Sequence, residues 1–255
     1  MEGQLYIKNR DFIKSPILDI GTGEGTLALW FTPFLGKIDA GIDAMESQVS
    51  TAASLGGYHE VKQGLAENIP YEDNSFQTVI SVCVLEHVED LKKTFEEITR
   101  VLRAGGHLLI SVISEKHNKG LLLPTLFINM RLINLAEKYT LWFNKRNFHN
   151  RPDCSLDGYK EILSNQYDFI SIEHFWSIKN RRFYDILTLP PILFSYDYGN
   201  LPVALSIINE PATRFLGDKV REWLLVPRLL NDAADSRENH THLFLLLKKK
   251  VLPDG

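Results

Sequence analysis

The stretch Ile17-Leu18-Asp19-Ile20-Gly21-Thr22-Gly23-Glu24-Gly25-Thr26 decides the fold. A short apolar run reads as a strand, ends in alternating glycines, and passes into a helical segment from Gly25 to Phe34. Glycine reaches positive φ without steric cost and lets a ligand approach the main chain closely. The helix start that follows offers unpaired N–H groups to a polar ligand. Spacing narrows the choice of ligand. The dinucleotide pattern G-x-G-x-x-G would need a glycine at position 26, where Thr26 stands; the third glycine here is Gly25. No phosphate-loop lysine follows. Asp43, 22 positions beyond Gly21, closes the next apolar run, and a carboxylate there can accept both hydroxyls of a ribose. Together these residues describe a nucleoside-bearing ligand without a demanding phosphate site.

Outward from this loop the chain alternates strand and helix patterns. Ile38 to Ile42 reads as a second strand, His59 to Lys62 as a third, Phe76 to Cys83 as a fourth and His107 to Ile113 as a fifth. A helix runs from about Met45 to Leu55, and Leu91, Phe95, Ile98, Val101 and Leu102 form a helical stripe that Gly105-Gly106 stops. Ser155 can N-cap a helix reaching Leu163, and Phe169 to Trp176 and Thr241 to Leu247 are the sixth and seventh strands. Such alternation implies an α/β fold, with a mostly parallel, doubly wound sheet covered by helices on both faces.

Composition agrees and excludes several classes. The 255 residues are 44% apolar and 24% charged, with 28 Lys+Arg against 32 Asp+Glu. A net charge of −4 argues against a broad basic surface for nucleic acid. Two cysteines, Cys83 and Cys154, make no disulfide framework and fit a reducing compartment. The start, Met1 to Arg10, has no apolar core of the signal-peptide kind, and no apolar run approaches a membrane span. The expectation is a cytoplasmic protein. Two segments, 114–150 and 177–238, are left over as helical inserts. If strands five and six run parallel to the others, both inserts leave from strand carboxyl ends, where open α/β sheets bind ligands. They are expected to form a substrate cover; padding or a homodimer contact is the plainer alternative. Lys248-Lys249-Lys250 reads as a solvated chain end; Lys145-Arg146 and Arg181-Arg182 read as solvated, with binding of an acidic group as the alternative for either pair.

The residues resemble a known family in five places. Asp19 to Gly25 resembles motif I of the class I S-adenosylmethionine-dependent methyltransferases of small-molecule type. Gly41-Ile42-Asp43 resembles its ribose-binding strand end, Gly64 to Phe76 its adenine-passing stretch, Cys83 to Val88 its strand-four end, and Arg100 to Gly106 its glycine turn before strand five. The resemblance implies a single domain over 1–255 with a seven-stranded Rossmann-like sheet and an antiparallel last strand. It implies that S-adenosylmethionine is the cofactor and S-adenosylhomocysteine the product. Gly21 and Gly23 would let the main chain approach its methionine part, Asp19 would orient that loop or the amino group, and Thr22 and Gly25 would complete the binding loop. Asp43 would hold the ribose, and Ala44, Met45, Leu65 and Ala66 would flank the adenine. Cys83 would offer its main-chain carbonyl to the methionine amine. Leu65 stands where the family often has an acidic residue. Only about 15 residues precede strand one, so Tyr6, Phe12 or an insert is expected to close over the cofactor, or else the pocket is open.

Methyl transfer from a sulfonium is an in-line displacement that needs alignment and exclusion of water. A base matters only where the acceptor must lose a proton. His87, after strand four, is the candidate base. His240 and His242 share one face of the last strand with no third ligand, so solvent exposure is expected rather than a metal. His117 and His149 lie in or beside the first insert and could touch substrate. Tyr139, Trp142, Phe143, Trp176, Phe183, Tyr184, Phe194, Tyr196 and Tyr198 are mostly core candidates, and collectively they favour a small, partly apolar or aromatic acceptor. A non-catalytic cofactor-binding module docked on a protein or membrane surface is the alternative. A nicotinamide-dependent oxidoreductase is disfavoured by the Gly25 spacing.

Overall fold

The computed structural model describes residues 2–146, 155–179, 181–182 and 240–251. His149, Cys154, Phe183, Tyr184, Phe194, Tyr196 and Tyr198, together with most of the second insert, lie outside the described residues. Its strands are β1 (Ile17–Ile20), β2 (Ile38–Asp43), β3 (Tyr58–Gln63), β4 (Phe76–Val82), β5 (Leu102–Ile113), β6 (Tyr167–Ser177) and β7 (His240–Lys249). They form one sheet in the order β3-β2-β1-β4-β5-β7-β6. The first five are parallel, and β7 is antiparallel to both β5 and β6, so β6 runs with the first five. Strand order reverses between β1 and β4, which makes the carboxyl end of β1 the switch point of the sheet.

Period-two alternation sends successive side chains to two separate cores. Leu108, Ile110 and Val112 of β5 pack with Leu91, Phe95 and Ile98 of α4 (Leu91–Val101) and with Tyr159 and Leu163 of α7 (Leu156–Leu163). Leu109 faces the other way, in the core that holds Ala28 and Phe31 of α2 (Thr26–Leu35) and Ala52 of α3 (Glu46–Leu55). Burial on both faces is why the strands read as nearly continuous apolar runs. Ser155 caps α7 as expected, accepting a hydrogen bond from Gly158 N–H at 3.1 Å.

Several expectations are corrected. A helix, α1 (Glu2–Lys8), precedes the sheet, too short for periodicity to announce it. Tyr6 on it does not cover a cofactor. It is fully buried against Phe31 and edge-on to Phe244 at 5.1 Å, and its hydroxyl donates to Ser81 O at 3.0 Å. Phe12 packs edge-on to His107, level with the amino half of β4 and away from the glycine loop. Helix α4 passes directly into β5 at Leu102, so Gly105, with φ +72°, lies inside the strand instead of stopping the helix.

The basic tail is only partly solvated: Lys248 is exposed, but Lys249 and Lys250 are not. Lys249 Nζ donates to Thr99 O at 2.7 Å and Leu102 O at 2.6 Å, at the carboxyl end of α4, where the helix dipole favours a cation. Lys250 Nζ reaches Ser164 O at the end of α7. Arg181 is buried with its guanidinium over the Phe143 ring, and Arg182 donates to Lys119 O and Thr125 Oγ1. His240 and His242 are buried rather than exposed, and His117 packs edge-on against His242 at 5.5 Å.

The first insert is helical through its described part. A 3-10 turn (Asn118–Gly120) leads to α5 (Leu122–Asn129) and α6 (Ile133–Arg146), which pack as a hairpin beyond the carboxyl end of β5. No helix among the described residues is long and apolar enough to cross a membrane.

Tyr6 joins α1 to the sheet, whereas Lys8, on the same helix, makes only an exposed ion pair with Glu173. Tyr6→Ala is therefore expected to cost about 3–5 kcal/mol and Lys8→Ala less than about 1 kcal/mol, measured by urea unfolding. Equal losses would contradict this packing account.

Candidate active site

The β1–α2 loop is held to the neighbouring strand by its main chain. Gly21 and Thr22 N–H both donate to Ile42 O, at 2.8 and 3.1 Å. Gly23 N–H donates to Asp43 Oδ2 at 2.9 Å, and the other carboxylate oxygen accepts Met45 N–H at 3.0 Å. Asp43 thus ties the loop to the start of α3, and each oxygen keeps a further lone pair.

The three glycines serve different ends, although all have positive φ (+78°, +50° and +83°). A Cβ on Gly21 would lie 2.2 Å from Val84 Cγ2, and one on Gly25 would lie 2.8 Å from Ala52 Cα, so packing requires both. A Cβ on Gly23 would meet nothing within 4 Å. Gly23 is the place where the loop's main chain faces open space. Thr22 turns its side chain inward, its hydroxyl on Gly23 O and its methyl near Gly41.

Beside this opening lie two uncovered apolar side chains. Met45 and Leu65 are each 56% exposed, on segments that Gly64 N–H to Asp43 O (3.0 Å) and Gln63 Nε2 to Ala44 O (3.0 Å) hold together. Ala66, next to Leu65 in the chain, is buried. A flat aromatic base lying there would cover both exposed side chains, which fits the adenine of the implied cofactor. The stretch carrying Leu65 is clamped from the far side. Arg100 donates to Ile69 O and Tyr71 O and pairs with Glu97 and Asp73, while Glu97 accepts Ile69 N–H at 2.9 Å. The Arg100 guanidinium holds the Glu97 carboxyl below the usual carboxylate range.

Asp19 lies at the same edge, buried within β1, and accepts the Tyr58 hydroxyl at 2.6 Å. Burial pushes its carboxyl up to about 6, against the lowering effect of the Tyr58 hydrogen bond, and the Asp43 charge adds to the rise. Tyr58 itself is raised by burial and by Asp19. Cys83 follows β4 with φ +51°, a left-handed conformation that costs a non-glycine residue about 1–3 kcal/mol. Its N–H donates to Ser111 O at 2.9 Å. His87 stands exposed in the turn beyond it, its N–H on Val84 O.

The carboxyl edge of β1 to β4 therefore brings together Asp19, Gly21, Thr22, Gly23, Gly25, Asp43, Ala44, Met45, Leu65, Ala66 and Cys83, with His87 four residues after Cys83. Tyr58 and the Arg100–Glu97 clamp were not singled out from the sequence. Their partners lie 27 to 39 residues away, so no local spacing marks them. Among the described residues no group of three or more His, Cys, Asp or Glu side chains could hold a metal. An open cleft of about 560 Å³ lies at the opposite, amino edge, lined by residues that include Arg10, Lys37, Asp39 and His59, and takes no part in this site.

The Asp19 shift has a definite sign. A folded-state value of about 6 against an ordinary 3.8 means the native chain binds more protons in that window, so this group's contribution to stability falls as pH rises from about 4 to 6. Asp19→Asn keeps an acceptor for Tyr58 and removes the titration. Its stability relative to the parent should increase across that window by on the order of 2–3 kcal/mol, read from urea midpoints. A difference that does not vary with pH would contradict the shift.

Comparison with known proteins agrees with this geometry. A family model described as a methyltransferase domain matches residues 18–110. The chain is 35% identical over 99 residues to the uncharacterized methyltransferase YcgJ of Bacillus subtilis, covering 37% of this chain and 39% of that one. It is 36% identical over 110 residues to the ubiquinone/menaquinone biosynthesis C-methyltransferase UbiE of Hahella chejuensis, covering 40% and 44%. The matched stretch thus spans about two-fifths of those relatives' length. Among solved structures, the MccD protein superposes with a TM-score of 0.56 at 21% identity, covering 98% of this chain and 96% of that one. A sarcosine dimethylglycine methyltransferase homologue from Galdieria sulphuraria gives 0.59 at 18% identity, covering 97% and 84%. These two show a shared fold. With the glycine loop, the switch point and the sheet order, the matches support a class I, S-adenosylmethionine-dependent methyltransferase domain over residues 18–110.

Proposed function

We propose that the protein transfers a methyl group from S-adenosylmethionine to a small, partly apolar acceptor. The observation that carries this reading is the opening over Gly23, bordered by the Asp43 carboxylate and by the exposed Met45 and Leu65. When bound, the cofactor supplies an electrophilic methyl group on a sulfonium sulfur. The chain's own residues bind and align it. The main chain of Gly21 to Gly23 admits the methionine part, with Thr22 and Gly25 keeping the loop's shape. Asp43 accepts the ribose hydroxyls on its free lone pairs, and Ala44, Met45, Leu65 and Ala66 flank the adenine. Asp19 and the Cys83 carbonyl face the positive amino group. A cation there favours the ionised Asp19 that burial alone disfavours.

His87 is the side chain assigned to proton removal where the acceptor is protic. An acceptor with apolar character is supported by the aromatic first insert, where Tyr139 packs with Phe127, Trp142 and Phe143 beyond β5. Relatives' names point both ways, since they include menaquinone and sterol methyltransferases and one acting on glycine and its methylated forms. The inserts' role as a substrate cover belongs to the same proposal.

Calorimetric titration with S-adenosylmethionine and S-adenosylhomocysteine tests the reading directly. Both should bind, and Asp43→Ala should weaken both by roughly 1.5–3 kcal/mol, through lost hydrogen bonds to a charged acceptor. His87→Gln should keep cofactor affinity and lower turnover of a protic acceptor. Absence of binding by either ligand would overturn the proposal.

A further inference from the structure

The α5–α6 hairpin carries a second surface that the cofactor site does not use. Its inner side is buried through Leu121, Pro124 and Ala136. Eight large apolar side chains of the hairpin stand exposed within 17 residues, from Leu126 to Trp142, with Leu141 at 71% and Met130 at 65%. Singly exposed apolar residues need no explanation, but eight of them on two short helices and their connection mark an interaction surface.

The charge around that set identifies what it fits. Residues 115–146 hold six basic side chains (Lys116, Lys119, Arg131, Lys138, Lys145 and Arg146) against two acidic ones (Glu115 and Glu137), a local balance of +4 in a chain of net −4. Along α6, exposed Leu135, Lys138, Leu141, Trp142 and Lys145 fall at i, i+3, i+6, i+7 and i+10, which is one helix face. Lysines between leucines can extend their ammonium groups outward while their stems lie along apolar surface. A tryptophan at the same level matches the aromatic preference of a membrane–water interface. At the tip, Arg131 sits between exposed Met130 and exposed Leu132 and Ile133.

We propose that the α5–α6 hairpin is a peripheral docking surface for an anionic lipid bilayer. It lies on the membrane and does not cross it, since neither helix has the length for a span. Apolar burial and attraction of the basic cluster to anionic headgroups act together, as interfacial amphipathic helices require. Docking would turn the edge of the sheet that bears the cofactor site toward the bilayer, because the hairpin follows the carboxyl end of β5. The docking does not depend on the methyltransferase reading, so the two can fail separately.

The test is co-sedimentation of the full chain, without cofactor, with vesicles of phosphatidylcholine plus phosphatidylglycerol and with vesicles of phosphatidylcholine alone. The chain should pellet with the anionic vesicles, less so as salt is added, and poorly with the neutral ones. Leu141→Asp and the pair Lys138→Glu, Lys145→Glu should each reduce binding about tenfold or more, with circular dichroism and thermal midpoint unchanged. The pair Lys92→Glu, Lys93→Glu on exposed positions of α4 makes the same charge change and should keep binding near the parent level. A parent chain that stays in the supernatant would overturn the proposal. So would equal losses in the α4 variant, which indicate attraction by overall charge. A dimer in sedimentation equilibrium that Leu141→Asp dissolves, with no vesicle binding, would assign the face to a second copy of the chain instead.

Discussion

One carboxylate organises the candidate site. Asp43 closes β2 and accepts Gly23 N–H on one oxygen and Met45 N–H on the other, so the strand, the β1–α2 loop and the start of α3 share one anchor. The main-chain bonds from Gly21 and Thr22 to Ile42 O bind the same loop one residue earlier. Because the sheet order reverses next to β1, this anchored loop lies at the crevice that flanking connections leave above the strand ends. Everything the site can hold follows from that: an open main chain at Gly23, spare lone pairs on Asp43, and two apolar side chains waiting for a flat partner.

The electrostatics are arranged for a ligand with a positive end. Asp19 is buried one strand from Asp43, whose charge adds to the cost of ionising Asp19. Tyr58 relieves part of that cost through its hydroxyl. A cation brought to this edge would relieve more of it, which links the protonation of Asp19 to ligand affinity. The left-handed turn at Cys83 is a second stored cost at the same edge, of the kind that concentrates at functional sites.

Much of this was legible in the residue pattern, for a physical reason. Strands buried on both faces must be apolar throughout, so β1, β4 and β5 announce themselves, and Gly21 and Gly25 are glycines because side chains would collide there. Other features depend on contacts that no local pattern records. Lys249 looks like part of a solvated tail until β7 brings it beside the carboxyl end of α4, 150 residues from Thr99. His240 and His242 share a strand face, but the helices and loops that cover that face decide their burial. Helix α1 is seven residues long, and its place follows from Tyr6 fitting between Phe31 and Phe244. In the site, Asp43 and the glycines stood out by spacing, whereas Tyr58 and Arg100 act through partners distant in sequence.

The central claim is that the Gly23–Asp43 opening receives the cofactor's nucleoside. The most direct measurement is a crystal structure of the chain grown with S-adenosylhomocysteine. The account predicts the ribose hydroxyls on Asp43, the adenine between Met45 and Leu65, and the amino group toward Asp19 and the Cys83 carbonyl. A ligand bound anywhere else, such as the amino-edge cleft by Asp39 and His59, would contradict it.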